Sequence, residues 1–108
     1  MTNDDEVYLI AQLEVTDRDA LMRDYAAPLQ PLNEKHGVSV VAASAQVQVL
    51  EGEYQGNLTV VLKFPSAAAQ KAWYEDPAYQ PLINRRQELT NSANSSLIVV
   101  PTVPGASS

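Results

Sequence analysis

The sequence predicts an α+β fold whose elements follow the order β-α-β-β-α-β, the arrangement of ferredoxin-like domains. Two observations lead to it: extended apolar patterns alternate with helical ones, and two of the extended patterns follow each other across glycines. This order gives a four-stranded antiparallel sheet with both helices on one face. Because the other face then needs cover, we expect the sheets of two copies to face each other.

Composition limits the chain to one small acidic domain. Its 108 residues suffice for a modest core, to which a second copy would add buried surface. The absence of cysteine excludes disulfides, thiolate metal sites and a cysteine nucleophile. A net charge of −6 with scattered basic residues argues against nucleic acid and against an anionic membrane as partners. No secretory leader or membrane-spanning run is visible, so the expected location is the cytoplasm.

The two ends of the chain define the expected domain boundaries. Residues 1–6 form a short, polar stretch whose charges are all negative, which predicts a disordered tail. Residues 102–108 consist largely of Pro, Gly, Ser and other small residues, which predicts a flexible tail. A single ferredoxin-like domain is therefore expected over residues 7–101.

The first strand is predicted over residues 7–15. In its second half, Leu13 and Val15 alternate with Gln12 and Glu14. Such alternation indicates a strand that is covered on one face only.

The first helix begins after Thr16 or Asp17, either of which can cap its first turn. Pro28 and Pro31 fall in its second half and predict a kink or a separate turn there, and Gly37 predicts its end. The apolar or aromatic face of this helix has residues spaced by three or four positions, which are Leu21, Tyr25, Leu29, Leu32 and His36.

A hairpin is predicted in the middle of the chain. Residues 38–50 are rich in valine and small residues, which predicts a long second strand. Gly52 and Gly56 mark a turn, and residues 58–64 return as the third strand.

The segment of residues 63–86 contains the only Trp, the only Phe and two of the five Tyr. Ser66 is the predicted N-cap of the second helix. Asp76 followed by Pro77 breaks that helix, because proline disfavours the helical conformation in the residue before it, and a second short helix is predicted from Pro77. Residues 97–100 form a short apolar strand, expected in the sheet centre or at a subunit contact.

A set of distinctive short motifs runs through the chain. They are Val15-Thr16-Asp17, Leu50-Glu51-Gly52, Lys63-Phe64-Pro65-Ser66, Ala72-Trp73-Tyr74, Pro77-Ala78-Tyr79-Gln80 and Arg86. Together they resemble the bacterial family named "domain of unknown function 1330", from about Val7 to about Pro101. The resemblance implies a ferredoxin-like domain of the dimeric α/β-barrel superfamily.

Two positions depart from the pattern of that family. Val38 stands where a second glycine is usual, and Ala43 stands where the family usually carries an arginine in the middle of the second strand. Any site that depends on the strand arginine is absent from this chain, so an activity shared by the family would be altered here.

Two side chains are candidates for acid–base catalysis. His36 is the only histidine, the residue type that titrates near neutral pH, and it lies at a predicted helix end. The alternative is that Lys35 and His36 form a basic last turn that only interacts with the helix dipole. Glu51, beside Gly52, could be a base at a cavity mouth. Alternatively, it accepts hydrogen bonds within a turn.

Tyr25 and Arg86 match residues of the family pattern and are also catalytic candidates. Tyr25 could donate a hydrogen bond from its phenol to a carbonyl or a developing enolate, or it could be a core residue with its hydroxyl satisfied. Arg86 could bind a carboxylate or an enolate through two N–H groups. The alternative for Arg86 is a structural ion pair with Glu51 or Glu75.

Three aromatic residues surround the predicted helix break. Trp73 and Tyr74 are candidates for substrate binding, and Tyr79 is a candidate catalytic residue because residues just after a break often line a pocket rim. The alternative is that the rings only pack the break against the sheet.

Two hypotheses for function follow. The first is a cofactor-independent enzyme that performs isomerisation, cyclisation or oxygenation on an apolar carbonyl or phenolic compound. No glycine-rich phosphate loop or metal-ligand set is visible, so neither cofactor nor metal is expected. The second is a non-catalytic module that binds a small ligand or assists assembly. A closed cavity lined by Tyr25, Tyr79 and Arg86 would favour the enzyme.

Overall fold

The computed structural model describes residues 6–102, in which a four-stranded antiparallel sheet carries helices on one face. The strand order is β2-β3-β1-β4, so the two central strands are the first and the third along the chain. The strands are β1 (Val7–Leu13), β2 (Ser39–Ser44), β3 (Leu58–Phe64) and β4 (Ser96–Pro101). The predicted α+β, ferredoxin-like order of elements is confirmed.

The predicted tails lie almost entirely outside the described residues, since only Glu6 and Thr102 belong to the structure. Thr102 donates hydrogen bonds from its amide and its Oγ1 to the Glu6 carbonyl, at 3.3 and 3.0 Å. These bonds continue the pairing of β1 with β4 by one residue.

The first helix is continuous but changes its winding. It consists of α1 (Arg18–Leu21), a π-helical turn (Met22–Ala26) and α2 (Ala27–Lys35). Asp17 is the cap, and its Oδ1 accepts from the Ala20 amide at 3.0 Å. The kink or separate turn predicted at Pro28 and Pro31 is not found, because α2 includes both prolines and the irregular winding is the π-helical turn before them. Gly37 ends the helix as predicted, with a φ of 71° that favours glycine.

The second strand is shorter than the sequence predicts. β2 ends at Ser44, and residues 45–57 are irregular and mostly exposed, whereas a strand was expected to continue to residue 50. The pairing of β2 with β3 ends where Ser44 lies opposite Thr59. The pairing of β3 with β1 extends one residue further, since Asn57 donates its amide to the Leu13 carbonyl at 2.7 Å.

The second helical unit consists of α3 (Ala67–Glu75) and α4 (Gln80–Glu88). Ser66 caps α3 as predicted, accepting from the Ala69 amide at 3.0 Å. The predicted break at Asp76 is confirmed, but α4 begins at Gln80 rather than at Pro77. Residues 77–79 instead form a turn that Tyr79 closes by donating its amide to the Asp76 carbonyl at 2.8 Å.

The fourth strand lies at the edge of the sheet, beside β1, and not in its centre. Its apolar residues Ile98, Val99 and Val100 are exposed in the single chain. Because apolar edge residues favour a covering partner, the prediction of a subunit contact remains open.

Helices pack against one face of the sheet and leave the other face uncovered. Alternate residues of β1 point toward the helices and are buried, while Tyr8, Ile10 and Gln12 point to the opposite face. The core consists of strand and helix side chains from the covered face, among them Leu9, Leu13, Leu21, Leu29, Leu62, Phe64, Trp73, Tyr79 and Ile83. Within residues 6–102, no helix has the length and apolar character needed to cross a membrane.

Candidate functional site

A partly enclosed cavity of about 230 Å³ lies between the sheet and the first helix. Met22 and Val40, which are both more than half exposed, contribute to its wall and lie at its open side. The wall is almost wholly apolar, with polar atoms supplied by a few residues only. The polar or aromatic lining residues are Tyr25, Gln30, Asn33, Trp73 and Arg86.

Tyr25 reaches the cavity from the π-helical turn and is hydrogen-bonded to a second tyrosine. Its hydroxyl lies 2.7 Å from the hydroxyl of Tyr79, whose side chain is fully buried at 0% exposure. Tyr79 does not line the cavity but lies behind Tyr25, at the start of α4. The sequence predicted both residues as catalytic, and the structure places one in the wall and the other as its hydrogen-bond partner.

Both phenols remain protonated at neutral pH. Burial raises the pKa of Tyr25 and of Tyr79, and the positive charge of Arg86 opposes that rise without reversing it. A neutral phenol donates a hydrogen bond but is a poor base. If Tyr79 donates to Tyr25, the Tyr25 proton is free to point into the cavity.

Arg86 is buried at the other end of the same cluster. It projects from α4, is 7% exposed, and its Cζ lies 5.9 Å from the centre of the Tyr25 ring. Its Nε is buried and has no hydrogen-bond partner among the described residues. The expected alternative, an ion pair with Glu51 or Glu75, is not found, since no carboxylate of residues 6–102 lies within ion-pair distance of Arg86.

Trp73 forms the aromatic part of the wall. Its ring centre lies 4.4 Å from that of Tyr79 and 5.1 Å from that of Phe64, so it is held between two rings. Its Nε1 donates to Asn33 Oδ1 at 2.8 Å. Trp73 therefore lines the cavity and packs the helix break at once, which combines the two alternatives that the sequence left open.

Tyr74, the other predicted substrate-binding residue, does not line this cavity. It lines two smaller cavities of about 180 and 220 Å³ near β4 and is 40% exposed. Arg86 also borders the first of these, together with the hydroxyl-bearing residues Thr90, Ser92, Ser95 and Ser96. The guanidinium group is thus shared between an apolar cavity and a polar cleft.

His36 and Glu51 lie away from the cavity. His36 Nε2 is 2.9 Å from Asp76 Oδ2, and Lys35 Nζ is 2.9 Å from the same oxygen. Ala78 donates its amide to Asp76 Oδ1 at 2.9 Å. Through these bonds Asp76 connects the end of the first helix to the break between α3 and α4. Glu51 is exposed in the irregular segment after β2 and borders none of the three cavities.

Sequence reasoning missed the polar residues that the first helix contributes to the cavity. Gln30 and Asn33 line it together with Met22 and Ala26. These four residues are spaced by three or four positions, so they form a helical face next to the one that the sequence analysis selected. Ala43 also lines the cavity, and the departure from the family pattern at this position leaves that wall uncharged.

Metal binding finds no support in the described residues. Within residues 6–102, no group of three or more His, Asp or Glu side chains is arranged to hold a metal ion.

Solved structures with the same fold come from several bacteria. A protein of unknown function from Rhodopseudomonas palustris is 18% identical with a TM-score of 0.77, covering 93% of this chain and 84% of that one. A dimeric ferredoxin-like protein of unknown function from Jannaschia sp. is 14% identical with a TM-score of 0.75, covering 90% and 99%. SnoaB from Streptomyces nogalater, a cofactor-independent oxygenase, is 12% identical with a TM-score of 0.65, covering 91% and 93%.

At these identities the likeness establishes the fold and not the activity. No curated protein sequence matches the chain significantly. The family model described as "Domain of unknown function (DUF1330)" matches residues 6–103, nearly the whole chain. The protein therefore belongs to the DUF1330 family.

Proposed function

We propose that the protein is a small-molecule enzyme of the dimeric α/β-barrel type that acts without a cofactor on an apolar carbonyl or phenolic compound. The observation that carries this proposal is the pair Tyr25 and Arg86 in the wall of an apolar cavity, with Tyr79 hydrogen-bonded to Tyr25 from behind. Small-molecule sites commonly combine apolar walls with a few convergent polar groups. The description of SnoaB, which has a similar fold, as a cofactor-independent oxygenase supports chemistry without a cofactor.

The chemistry that suits this cluster is the formation of an enolate or phenolate. When the C–H bond beside a carbonyl breaks, its proton passes to water and the electron pair moves onto the carbonyl oxygen. A cation and a phenol hydroxyl in an apolar cavity stabilise the negative charge that develops on this oxygen. Isomerisation and cyclisation can both proceed from such an anion, and it is also the electron-rich form that an oxygenation would require.

Each residue of the cluster has a separate role in this scheme. Arg86 supplies positive charge, and Tyr25 donates a hydrogen bond to the same oxygen. Tyr79 is a positioning residue, because it contacts Tyr25 and not the cavity. Trp73 packs against the apolar body of the ligand. His36 and Glu51 take no part, so water accepts the proton.

A test begins with binding and continues with proton transfer. One-ring phenols and aryl ketones are screened by thermal shift, since a ligand that binds only the folded state raises its melting temperature. For each ketone that binds, exchange of the hydrogens beside the carbonyl is followed by NMR in D2O. We expect the wild-type protein to accelerate exchange. Replacement Arg86→Met removes a charge-stabilising group and is expected to slow it by roughly a hundredfold or more.

The matched control is Arg85→Met, the same change at the neighbouring position. Arg85 is paired with Asp24 and Glu88 on the surface and borders none of the three cavities. This variant is expected to behave as wild type in both measurements. If ketones bind but wild-type protein leaves their exchange rate unchanged, the enzyme proposal is wrong.

The second candidate function is a non-catalytic module that binds a small ligand. The observation in its favour is that no Asp, Glu, Lys or His lines the 230 Å³ cavity. Ligand binding without any acceleration of exchange would select this function. Location in the cytoplasm and the absence of nucleic-acid partners stay predictions from the sequence.

The proposed assembly is a homodimer that pairs the open faces of two sheets. On that face Ile10 is directly opposite Val61 on β3 and Ile98 on β4, so an apolar row crosses the sheet. Ile98 is half exposed, and an uncovered apolar row of this kind is typical of a contact surface. The dimeric state in which the Jannaschia protein is described supports the same arrangement.

Light scattering coupled to gel filtration tests the dimer. Wild-type protein at micromolar concentration is expected to have twice the mass of the chain. Replacement Ile10→Glu places a charge in the apolar row and is expected to give monomers. Gln12→Glu is the matched control, since Gln12 is exposed on the same face and lies in a polar row with Thr59 and Ser96. A monomeric wild-type protein would contradict the proposed assembly.

A further inference from the structure

Arg86 carries a buried charge that the described residues leave without a counter-ion. The side chain is 7% exposed, and arginine stays protonated in proteins. Its Nε has no hydrogen-bond partner, and no carboxylate of residues 6–102 pairs with it. A buried charge without a partner is costly to fold, so a site that keeps one has a use for it.

The surroundings of Arg86 offer positive charge to a ligand and no competing negative charge. The titratable groups that face it are Tyr25 from the π-helical turn, Tyr79 from the start of α4 and, across the polar cleft, Tyr74 from α3. Burial raises the pKa of Tyr25 and of Tyr79, so both are neutral at pH 7. Neither the apolar cavity nor the adjacent polar cleft is lined by Asp, Glu, Lys or His. An anion in the cavity would therefore meet one cation and no repelling carboxylate.

The volume of the cavity limits the ligand to a small molecule. An apolar cavity of about 150 Å³ holds one benzene ring. The cavity beside Arg86 measures about 230 Å³, so it has room for one ring with a short substituent. Its apolar walls, which include Leu9, Leu62 and Trp73, favour a ring over a sugar or a polar metabolite.

We propose that the cavity takes a one-ring weak acid, a phenol or a cyclic enol, and binds it as the anion with the charged oxygen beside the Arg86 side chain. This assignment rests on the proposed function and narrows it to a substrate class. On binding, the O–H bond of the ligand breaks, the proton goes to water and the electron pair stays on oxygen. The protein then needs no base of its own, which agrees with a cavity that contains none.

A nitrophenol is a suitable probe because its phenolate absorbs visible light and its phenol does not. The pH titration of 4-nitrophenol bound to wild-type protein is compared with that of the free probe. We expect the pKa of the bound probe to be lower by about one unit or more, which corresponds to a tenfold preference for the anion. The uncharged analogue 4-nitroanisole reports whether the cavity binds the ring itself.

Two variants complete the experiment. Arg86→Met keeps an unbranched, though shorter, side chain and removes its charge, so we expect the pKa of the bound probe to rise to that of the free probe or above. The affinity for nitroanisole is expected to stay within about twofold. Arg85→Met, the surface control, is expected to match wild type. Far-ultraviolet circular dichroism verifies that each variant is folded. If a variant does not fold, the wild-type titration alone still shows whether the pKa of the bound probe is lowered.

The outcomes separate this inference from the proposed function. If nitroanisole binds and the pKa of bound nitrophenol is not lowered, the cavity stands as a small-molecule site and the assignment to weak acids is overturned. If neither probe binds to wild-type protein, both the assignment and the proposed function fail. A lowered pKa that persists in Arg86→Met would also overturn the inference, since Arg86 would then not be the cause.

Discussion

Two charged residues are buried within residues 6–102, and their surroundings differ completely. Asp76, 8% exposed, lies between the first helix and the break of the second helical unit and receives bonds from Lys35, His36 and the Ala78 amide. Arg86, 7% exposed, lies at the cavity and has an Nε with no partner. One buried charge is fully compensated by the fold, and the other is not.

The difference separates a structural role from a ligand-binding one. A buried carboxylate with three partners is needed by the fold, because removing it leaves those partners without an acceptor. A buried cation with an unpaired Nε and no carboxylate partner among the described residues is expected to await an anionic ligand. Substitution of Asp76 should therefore lower the stability of the fold and leave ligand binding intact. Substitution of Arg86 should weaken binding of an anionic ligand and leave the stability intact.

The largest loss of stability is expected for Asp76→Asn. The amide has a single acceptor oxygen, and its NH2 group would face the Lys35 ammonium and the His36 ring, which now donate to Asp76. The free energy of unfolding, measured in urea, should fall more than for any other variant discussed here, while ligand binding at 25 °C is retained.

The matched control for this change is Asp24→Asn. Asp24 is also paired, with Arg23 and Arg85, but on the surface, where ion pairs contribute little to stability. If Asp24→Asn destabilised the protein as much as Asp76→Asn, the structural role of the Asp76 site would be contradicted.

The pH dependence of stability sharpens the same prediction. Hydrogen bonds from His36, the Ala78 amide and Lys35 hold the pKa of Asp76 well below its ordinary value. Because the folded pKa is depressed, the stabilisation is fully present above the unfolded pKa of about 3.9 and is lost as the pH falls through the folded pKa. The difference in unfolding free energy between wild type and Asp76→Asn should therefore shrink as the pH falls below about 4.

Removal of the hydroxyl group should lower the stability more at Tyr25 than at Tyr79. Tyr25→Phe leaves the hydroxyl of Tyr79, which is fully buried, without a partner, at a cost of about 1–3 kcal/mol. Tyr79→Phe leaves the hydroxyl of Tyr25 beside the cavity, where water can reach it, and should cost about 1 kcal/mol. Urea unfolding of both variants tests this order, and equal costs would mean that Tyr79 is also accessible to water.

The sequence predicted the fold better than it predicted the contacts of the site. Periodicity, the Ser66 cap and the proline after Asp76 determine where helices and strands lie, and these features are local in sequence. The bond between His36 and Asp76 joins residues 40 positions apart, and no local pattern indicates which carboxylate meets which base. The sequence therefore left His36 as a catalytic candidate, although the structure gives it a carboxylate partner away from the cavity.

The cavity residues were predicted only in part for a related reason. Tyr25, Trp73 and Arg86 were selected by residue type and resemblance, and all three line the cavity. Tyr79 was selected with them, but its depth depends on how α4 packs and cannot be inferred from spacing alone. The unpaired state of Arg86 is a property of its whole surroundings, so only the folded chain reveals it.

The most direct measurement is the unfolding free energy of Arg86→Met without ligand, beside that of wild type. A buried cation without a carboxylate partner is replaced by an unbranched apolar side chain, so the variant is predicted to be as stable as wild type or more stable. The same variant should no longer prefer the phenolate form of 4-nitrophenol. A loss of stability comparable to that of Asp76→Asn would contradict the account, because it would mean that the fold itself depends on the charge of Arg86.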